Sequence, residues 1–409
     1  MERSERISFE ALLFSIYVAL SPANQILTLG SGSTINKYIG LAVIVSLILK
    51  KLVTGEGMSF SILRNLVPMF LWFAVSVVWS IDRRETVNAI IGLANYALMW
   101  FVVSDKEWNS AEKKLICNLS IIFGVYIAFI LISGQLEGIR RSTLTLSNVG
   151  ADQNALAVDL SFLFIIALHR MFQTESTIYK FLLVGICLIF VIGVFSTGSR
   201  GALAGLIIGF LYYLLSFTGV YNESKRGVKT AIFLGVGIII YLIIGRDWLI
   251  NESTLSRYQD ENLLFEAGVS GRNEIWGLYF GILNKTVYPY FVGFGYGTTF
   301  TAFTRYLWNW PPGTHNTFLY LLVCSGVVGV SSFLRFIWIH LRKCNENKDL
   351  LSKTLIIVSM IAMLTLDIFT RKDIWNVFAF AQIGLGCTTL IEQSAGEPKE
   401  LSHQSRYIK

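Results

Sequence analysis

Apolar side chains run through this chain in long, nearly unbroken stretches. They show neither the two-residue alternation of a half-buried strand nor the one-sided stripe of a soluble helix. Such stretches cover residues 11–29, 35–49, 63–79, 86–103, 115–133 and 155–169 in the first part of the chain. The second part adds 178–195, 201–217, 228–244, 316–340, 354–369 and 376–391. A helix needs roughly 20 mostly apolar residues to cross the hydrocarbon core. Only helices or closed barrels satisfy their backbone in lipid, and runs this long and continuous predict helices. The pattern therefore predicts an all-α polytopic membrane protein with about twelve transmembrane helices.

The polar intervals divide the chain. Helices 1–9 fall in 1–245, one long loop occupies 246–315, helices 10–12 fall in 316–393, and 394–409 form a tail. Within the long loop, 273–283 (NEIWGLYFGIL) is apolar on one side and too short to span, which predicts a helix lying at the membrane interface. Residues 293–299 (GFGYGTT) predict a tight turn; a glycine-rich loop can cradle phosphate, although no helix and lysine of the P-loop type follow. Arg3 and Arg6 ahead of 11–20 resemble a signal peptide. Glu10 interrupts the pattern and no A-x-A site follows Ser21, so a first, weakly apolar transmembrane helix is expected instead.

Composition agrees with this picture. The 409 residues are 54% hydrophobic and only 15% charged, whereas a soluble domain is about one quarter charged. Cys117, Cys187, Cys324, Cys344 and Cys387 all fall in or beside apolar runs or in segments predicted cytoplasmic. With none in the long loop, no disulfide framework is expected.

Charge sets the orientation. Lys and Arg concentrate in one alternate set of connections, among them Lys50, Lys51, Lys106, Lys113, Lys114, Arg342 and Lys343. By the positive-inside rule these are cytoplasmic, with both termini inside. The net charge of +7 is then mostly topological, and no nucleic-acid partner is expected. The opposite set is Lys37, Arg83, Arg84, Arg140, Arg141, Arg200, Arg246, Arg257, Arg272, Lys285, Arg305, Arg371 and Lys372. It is mostly arginine, and a planar guanidinium suits bidentate binding of phosphate oxygens. The plainer alternative is that these arginines cap helices or pair with Asp247, Glu252, Asp260, Glu261 and Glu266.

The chain has 4 histidines, and His315 alone falls in a predicted outer segment, in Pro311-Pro312-Gly313-Thr314-His315-Asn316. Imidazole can take a proton from a hydroxyl near neutral pH; alternatively it caps the helix that follows. Ser199 and Arg200 lie in 195–203 (FSTGSRGAL), a short outer turn between two helices. A cation at a helix N-terminus is electrostatically poor unless an anion binds both the amides and the guanidinium; alternatively Arg200 snorkels to the interface. Arg272 opens the interfacial helix. Arg140 and Arg141 precede Asp152-Gln153-Asn154, where Asp152 or Asn154 can cap the next helix. No acidic metal-binding triplet stands outside, so no metal or other cofactor is expected.

Taken in order, an arginine-bearing loop, N-x-L-A at 154–157, S-T-G-S-R-G-A-L at 196–203, S-G-R-x-x-x-W at 270–276, G-x-G-x-G at 293–297 and H-N-T-F-L at 315–319 resemble the O-antigen ligase and polymerase family of bacterial envelopes. The likeness covers about 140–329 and is most specific at 196–203 and 315–319. The resemblance implies a bacterial inner-membrane glycosyltransferase acting at the periplasmic face on glycan carried by undecaprenyl diphosphate. It implies that Arg200 and Arg272, with Arg141, contact the diphosphate and that His315 is the base, supported by Ser199, Asn316 and Asn154. The sequence Asp152-Gln153-Asn154 departs from the family's more usual D-P-N. The expected function is polysaccharide polymerisation, or alternatively O-antigen ligation to lipid A–core, with a chain-length regulator as a further partner. A flippase or transporter of lipid-linked oligosaccharide is the reading from another class.

Overall fold

The structure, a computed structural model, describes residues 6–136 apart from 25, 28 and 30–32, then 145–146, 149–221, 268–285, 287–307 and 312–387. The predicted span 228–244, Arg141 and the tail 394–409 lie outside the described residues. The helices are α1 (Phe9–Leu20), α2 (Ile35–Thr54), α3 (Val67–Val75), α4 (Arg83–Ser104), α5 (Ser110–Leu136), α6 (Gln153–Gln173), α7 (Thr177–Ser196) and α8 (Arg200–Tyr221). They continue as α9 (Gly268–Leu283), α10 (Tyr288–Val292), α11 (Thr299–Leu307), α12 (Thr317–Glu346), α13 (Leu350–Met363) and α14 (Lys372–Ile383). The strands described are two-residue pieces, Thr145–Leu146 antiparallel to Val149–Gly150. Among the described residues 6 helices (α4 to α8 and α12) are long and apolar enough to cross a membrane. Apart from those two short strands, the regular structure among the described residues is helical, with the long apolar helices of a membrane protein.

Several helices stop short of the predicted runs for local reasons. Pro22 turns the end of α1 into a short 3-10 turn, Ser21–Ala23, because proline at its start lacks an N–H to continue the α ladder. Pro68 starts α3, which has 3-10 turns on both sides, Phe60–Asn65 and Ser76–Val78. α13 ends at Met363 rather than 369, and α14 ends at Ile383 because Gly384 adopts a left-handed cap. The predicted interfacial helix starts earlier, so Arg272 lies in the second turn of α9 rather than opening it.

α6 forms the centre. Its apolar stretch is 89% buried, against 33% for α8 and 39% for α7, so α6 is enclosed while its neighbours face outward. Close approach depends on small residues: a methyl at Gly209 of α8 would stand 2.4 Å from Val358 of α13.

α12 is broken. Gly326 adopts φ 65°, ψ −174° inside it, and the break leaves carbonyls without helical donors. Phe294 N–H donates to Val323 O and Gly295 N–H to Cys324 O, each at 3.0 Å. Trp72 Nε1 donates to Ser325 O at 2.8 Å. The predicted turn at 293–299 is thus present, but it does not cradle phosphate: its amides reclose the helix, and Tyr296 N–H goes to Ser76 Oγ at 3.0 Å. Glycine is required at the crossing, since a Cβ on Gly326 would lie 2.2 Å from Phe291 O.

Replacing Gly326 by Ala combines a positive φ with that clash. It should cost about 2 kcal/mol or more, read as a lowered unfolding midpoint in detergent. Gly185→Ala, where an added methyl meets nothing within 4 Å, should leave the midpoint nearly unchanged. Equal midpoints for the two variants would contradict the sealed break.

Candidate functional site

His315 sits at the end of a short segment, 312–316, that leads into α12. Two side chains of α9 hold that segment by its carbonyls. Tyr279 Oη donates to Pro312 O at 2.8 Å and Trp276 Nε1 to Thr314 O at 2.9 Å. Arg272 is one helical turn before Trp276, so it shares the face of α9 that meets this segment. On the other side Asn316 caps α12, its Oδ1 accepting from Phe318 N at 2.9 Å and Leu319 N at 3.0 Å. Held at both ends, His315 adopts φ 48°. A left-handed backbone costs a non-glycine residue on the order of 1–2 kcal/mol and persists only where the surroundings impose it.

The imidazole is half-buried. Burial lowers its pKa below the ordinary 6.5, the Arg272 charge lowers it further, and Asp152 opposes both. At neutral pH the ring is therefore uncharged and its free nitrogen can accept a proton. Arg272 and Asp152, far apart in the sequence, are close enough to His315 to act on it electrostatically.

Asp152 is the N-cap of α6, accepting from Asn154 N at 2.8 Å and Ala155 N at 3.1 Å. The capping alternative holds for Asp152; Asn154 lies in the first turn of α6, half-buried. Two turns further along α6, Asp159 is 3% exposed and accepts from Arg371 Nη2 at 2.8 Å. The same nitrogen reaches Asp373 at 2.7 Å. Arg371 thus pairs with acids, but with Asp159 and Asp373; the expected partners Asp247, Glu252, Asp260, Glu261 and Glu266 lie outside the described residues.

Ser199 and Arg200 follow the turn at Gly198, whose φ is 67°. Thr197 Oγ1 donates to Val194 O at 2.7 Å and accepts from Ser199 N at 3.2 Å. Arg200 is the first residue of α8, half-buried. Next to it, Gly201 packs so tightly on Thr365 that a Cβ would lie 2.4 Å from its Oγ1. The connection containing Thr365 is also gripped from α12: Thr317 Oγ1 donates to Leu366 O at 2.8 Å and accepts from Ile368 N at 3.0 Å. The segment 364–371 thus abuts both the start of α8, beside Arg200, and the start of α12, beside His315. Arg200, Arg272, His315, Ser199, Asn316 and Asn154 gather at one end of the bundle; Arg141 lies outside the described residues.

Two groups at this end escaped the sequence reading. Arg371 was visible as a charge but not as the partner of Asp159, 212 positions away. Asp367 lies in the connection after α13, with its Oδ1 buried and without a hydrogen-bond partner among the described residues. Burial pushes its carboxyl up to about 7, against the pull of the Phe369 amide. Its apolar neighbours gave no signal of that.

Among the described residues no group of three His, Cys, Asp or Glu is arranged to hold a metal ion. No protein-family model and no curated protein matches the chain.

An NMR titration of His315 should give a pKa below 6.5. Arg272→Gln should move it upward, since a nearby positive charge is lost, and Asp152→Asn should move it downward. No movement in either variant would mean that the three groups do not share one site.

Proposed function

We propose that the chain is a membrane glycosyltransferase that takes glycan from an undecaprenyl-diphosphate carrier at the outer face of the bacterial inner membrane, with both termini cytoplasmic. Polysaccharide polymerisation, with a second lipid-linked glycan as acceptor, is the favoured activity. The observation that carries this reading is the gathering of a half-buried, strained His315 with Arg272 and Arg200 at one end of the bundle. A diphosphate leaving group needs cations, and an acceptor hydroxyl needs a base.

In the proposed reaction Arg200 and Arg272 bind the diphosphate and stabilise the charge that develops as the bond from sugar C1 to phosphate oxygen breaks. His315 takes the proton of an acceptor hydroxyl whose oxygen attacks C1 from the opposite face, which inverts the anomeric centre. The products are the extended glycan, undecaprenyl diphosphate and a protonated His315. Arginine supplies the phosphate stabilisation, so the reaction as proposed uses no metal. Transfer to lipid A–core would use the same chemistry with another acceptor.

The broken α12 is the feature that would favour a transporter, since many carriers bind ions on carbonyls freed in discontinuous helices. Here the carbonyls of Val323, Cys324 and Ser325 each already accept a protein donor. The polar groups gather at one end, which supports the enzyme.

Purified protein given lipid-linked donor and acceptor should release undecaprenyl diphosphate without a second compartment. His315→Ala and Arg200→Ala should each lower that rate by about 10²–10³-fold. Near-normal turnover in either variant would overturn the mechanism. In cells, deletion that collapses the surface-glycan ladder to a single repeat unit means polymerase. Polymer retained on the lipid carrier and missing from lipid A–core means ligase.

A further inference from the structure

A second cationic surface lies on α4, α10 and α11. The sequence Asp82-Arg83-Arg84-Glu85 reads as self-neutralising, yet its acids are turned away from its arginines. Asp82 Oδ1 accepts the Glu85 N–H at 2.9 Å as the cap of α4. The Glu85 carboxylate accepts from Thr301 Oγ1 of α11. Arg83 and Arg84 are exposed, and no carboxylate lies within 4 Å of either among the described residues.

The contact with Thr301 brings a third guanidinium to the same place. Arg305 is one turn beyond Thr301, on the face of α11 that meets α4, and is likewise exposed and unpaired among the described residues. Lys285 joins them, its Nζ donating to Tyr306 O at 3.0 Å and lying over the Tyr306 ring. Interleaved with these cations are exposed apolar and aromatic side chains: Val287 at 73%, Phe291 at 60%, Phe300 at 49% and Tyr288 at 48%.

Arg83 and Arg84 open a helix long and apolar enough to cross the membrane, which puts the patch where the span meets the headgroup layer. Cations beside protruding aromatic rings are the chemistry of that layer: rings enter the acyl boundary and guanidiniums meet phosphates. A soluble polyanion would use the arginines but leave Val287, Phe291 and Phe300 in water. We propose that Arg83, Arg84 and Arg305, with the exposed aromatics of α10 and α11, form a binding surface for the headgroups of anionic phospholipids. This surface is independent of the proposed reaction and uses none of its residues.

The full chain in phosphatidylcholine vesicles, with spin-labelled phosphatidylglycerol or phosphatidylcholine as probe, tests this. The wild type should select phosphatidylglycerol several-fold, each arginine contributing up to roughly fivefold, and the selection should fade with salt. The triple variant Arg83→Gln, Arg84→Gln, Arg305→Gln should lose the selection, while the three Arg→Lys changes should keep it. The unfolding midpoint serves as a folding control. A wild type with no preference, or a Gln variant that keeps it, overturns the proposal. Saturable binding of dextran sulfate without phosphatidylglycerol selection would overturn it in favour of a soluble polyanion.

Discussion

A helix broken inside an apolar bundle must have its freed carbonyls satisfied by the protein, because lipid offers no donors. In this chain the constraint falls on Gly326, and much of the upper architecture follows from how it is met. The donors come from Phe294, Gly295 and Trp72, so the segment after α10 has to lie against the break, with α3 on its other side. That placement brings 293–297 across the start of α4, where Gly295 meets Ser80 and Gly297 meets Ala89. It also seats α9 and α11 beside the first half of α12, where Tyr279, Ile282, Leu283, Phe294 and Phe303 share a small apolar core. From there Trp276 and Tyr279 reach the carbonyls around His315. The strained histidine is thus held, several contacts removed, by the bonds that close the helix break.

A second set of interactions fixes the other wall. Asp152 and Asp159 project from the centre of the bundle, two turns apart on α6, and Arg371 is held between Asp159 and Asp373. Removing one member of such a buried group would leave a charge stranded at low dielectric, usually at a cost of about 3–5 kcal/mol. The group therefore ties α14 to α6. The connection 364–371, leading into that arginine, is the one gripped by Thr317 and packed by Gly201. The starts of α8 and α12, and α6 two turns in at Asp159, are locked to a single connection. Candidate residues far apart in sequence converge because their helices do.

Much of this was legible before any coordinates. α4 to α8 coincide with the predicted runs because an unbroken apolar stretch of about 20 residues in lipid has few other solutions. The termini were less legible, since Pro22, Pro68 and Gly384 end helices by local backbone geometry while hydrophobicity continues past them. The glycines at 293–297 signalled a special backbone but not its purpose. Whether such a turn holds an anion or crosses another chain depends on what faces it, here α12 some thirty positions later. His315 stood out as the lone histidine of its side, yet nothing in the local sequence announced Trp276 and Tyr279 as its holders. Asp367 was hidden for a similar reason: its environment is built from side chains remote in the chain.

The electrostatics of His315 also suggest an order of events under the proposed reaction. Burial and the Arg272 charge both depress the basicity of the imidazole, which favours the neutral form but makes it a weak base. An arriving diphosphate adds negative charge beside the same guanidinium and offsets its field at the ring. The pKa of His315 then rises toward its ordinary value, and the ring becomes a better proton acceptor once the donor is bound. Asp152 does not supply this change, because as the cap of α6 it stands beside the ring before and after the donor arrives. The leaving group would then help to activate the base that prepares the nucleophile.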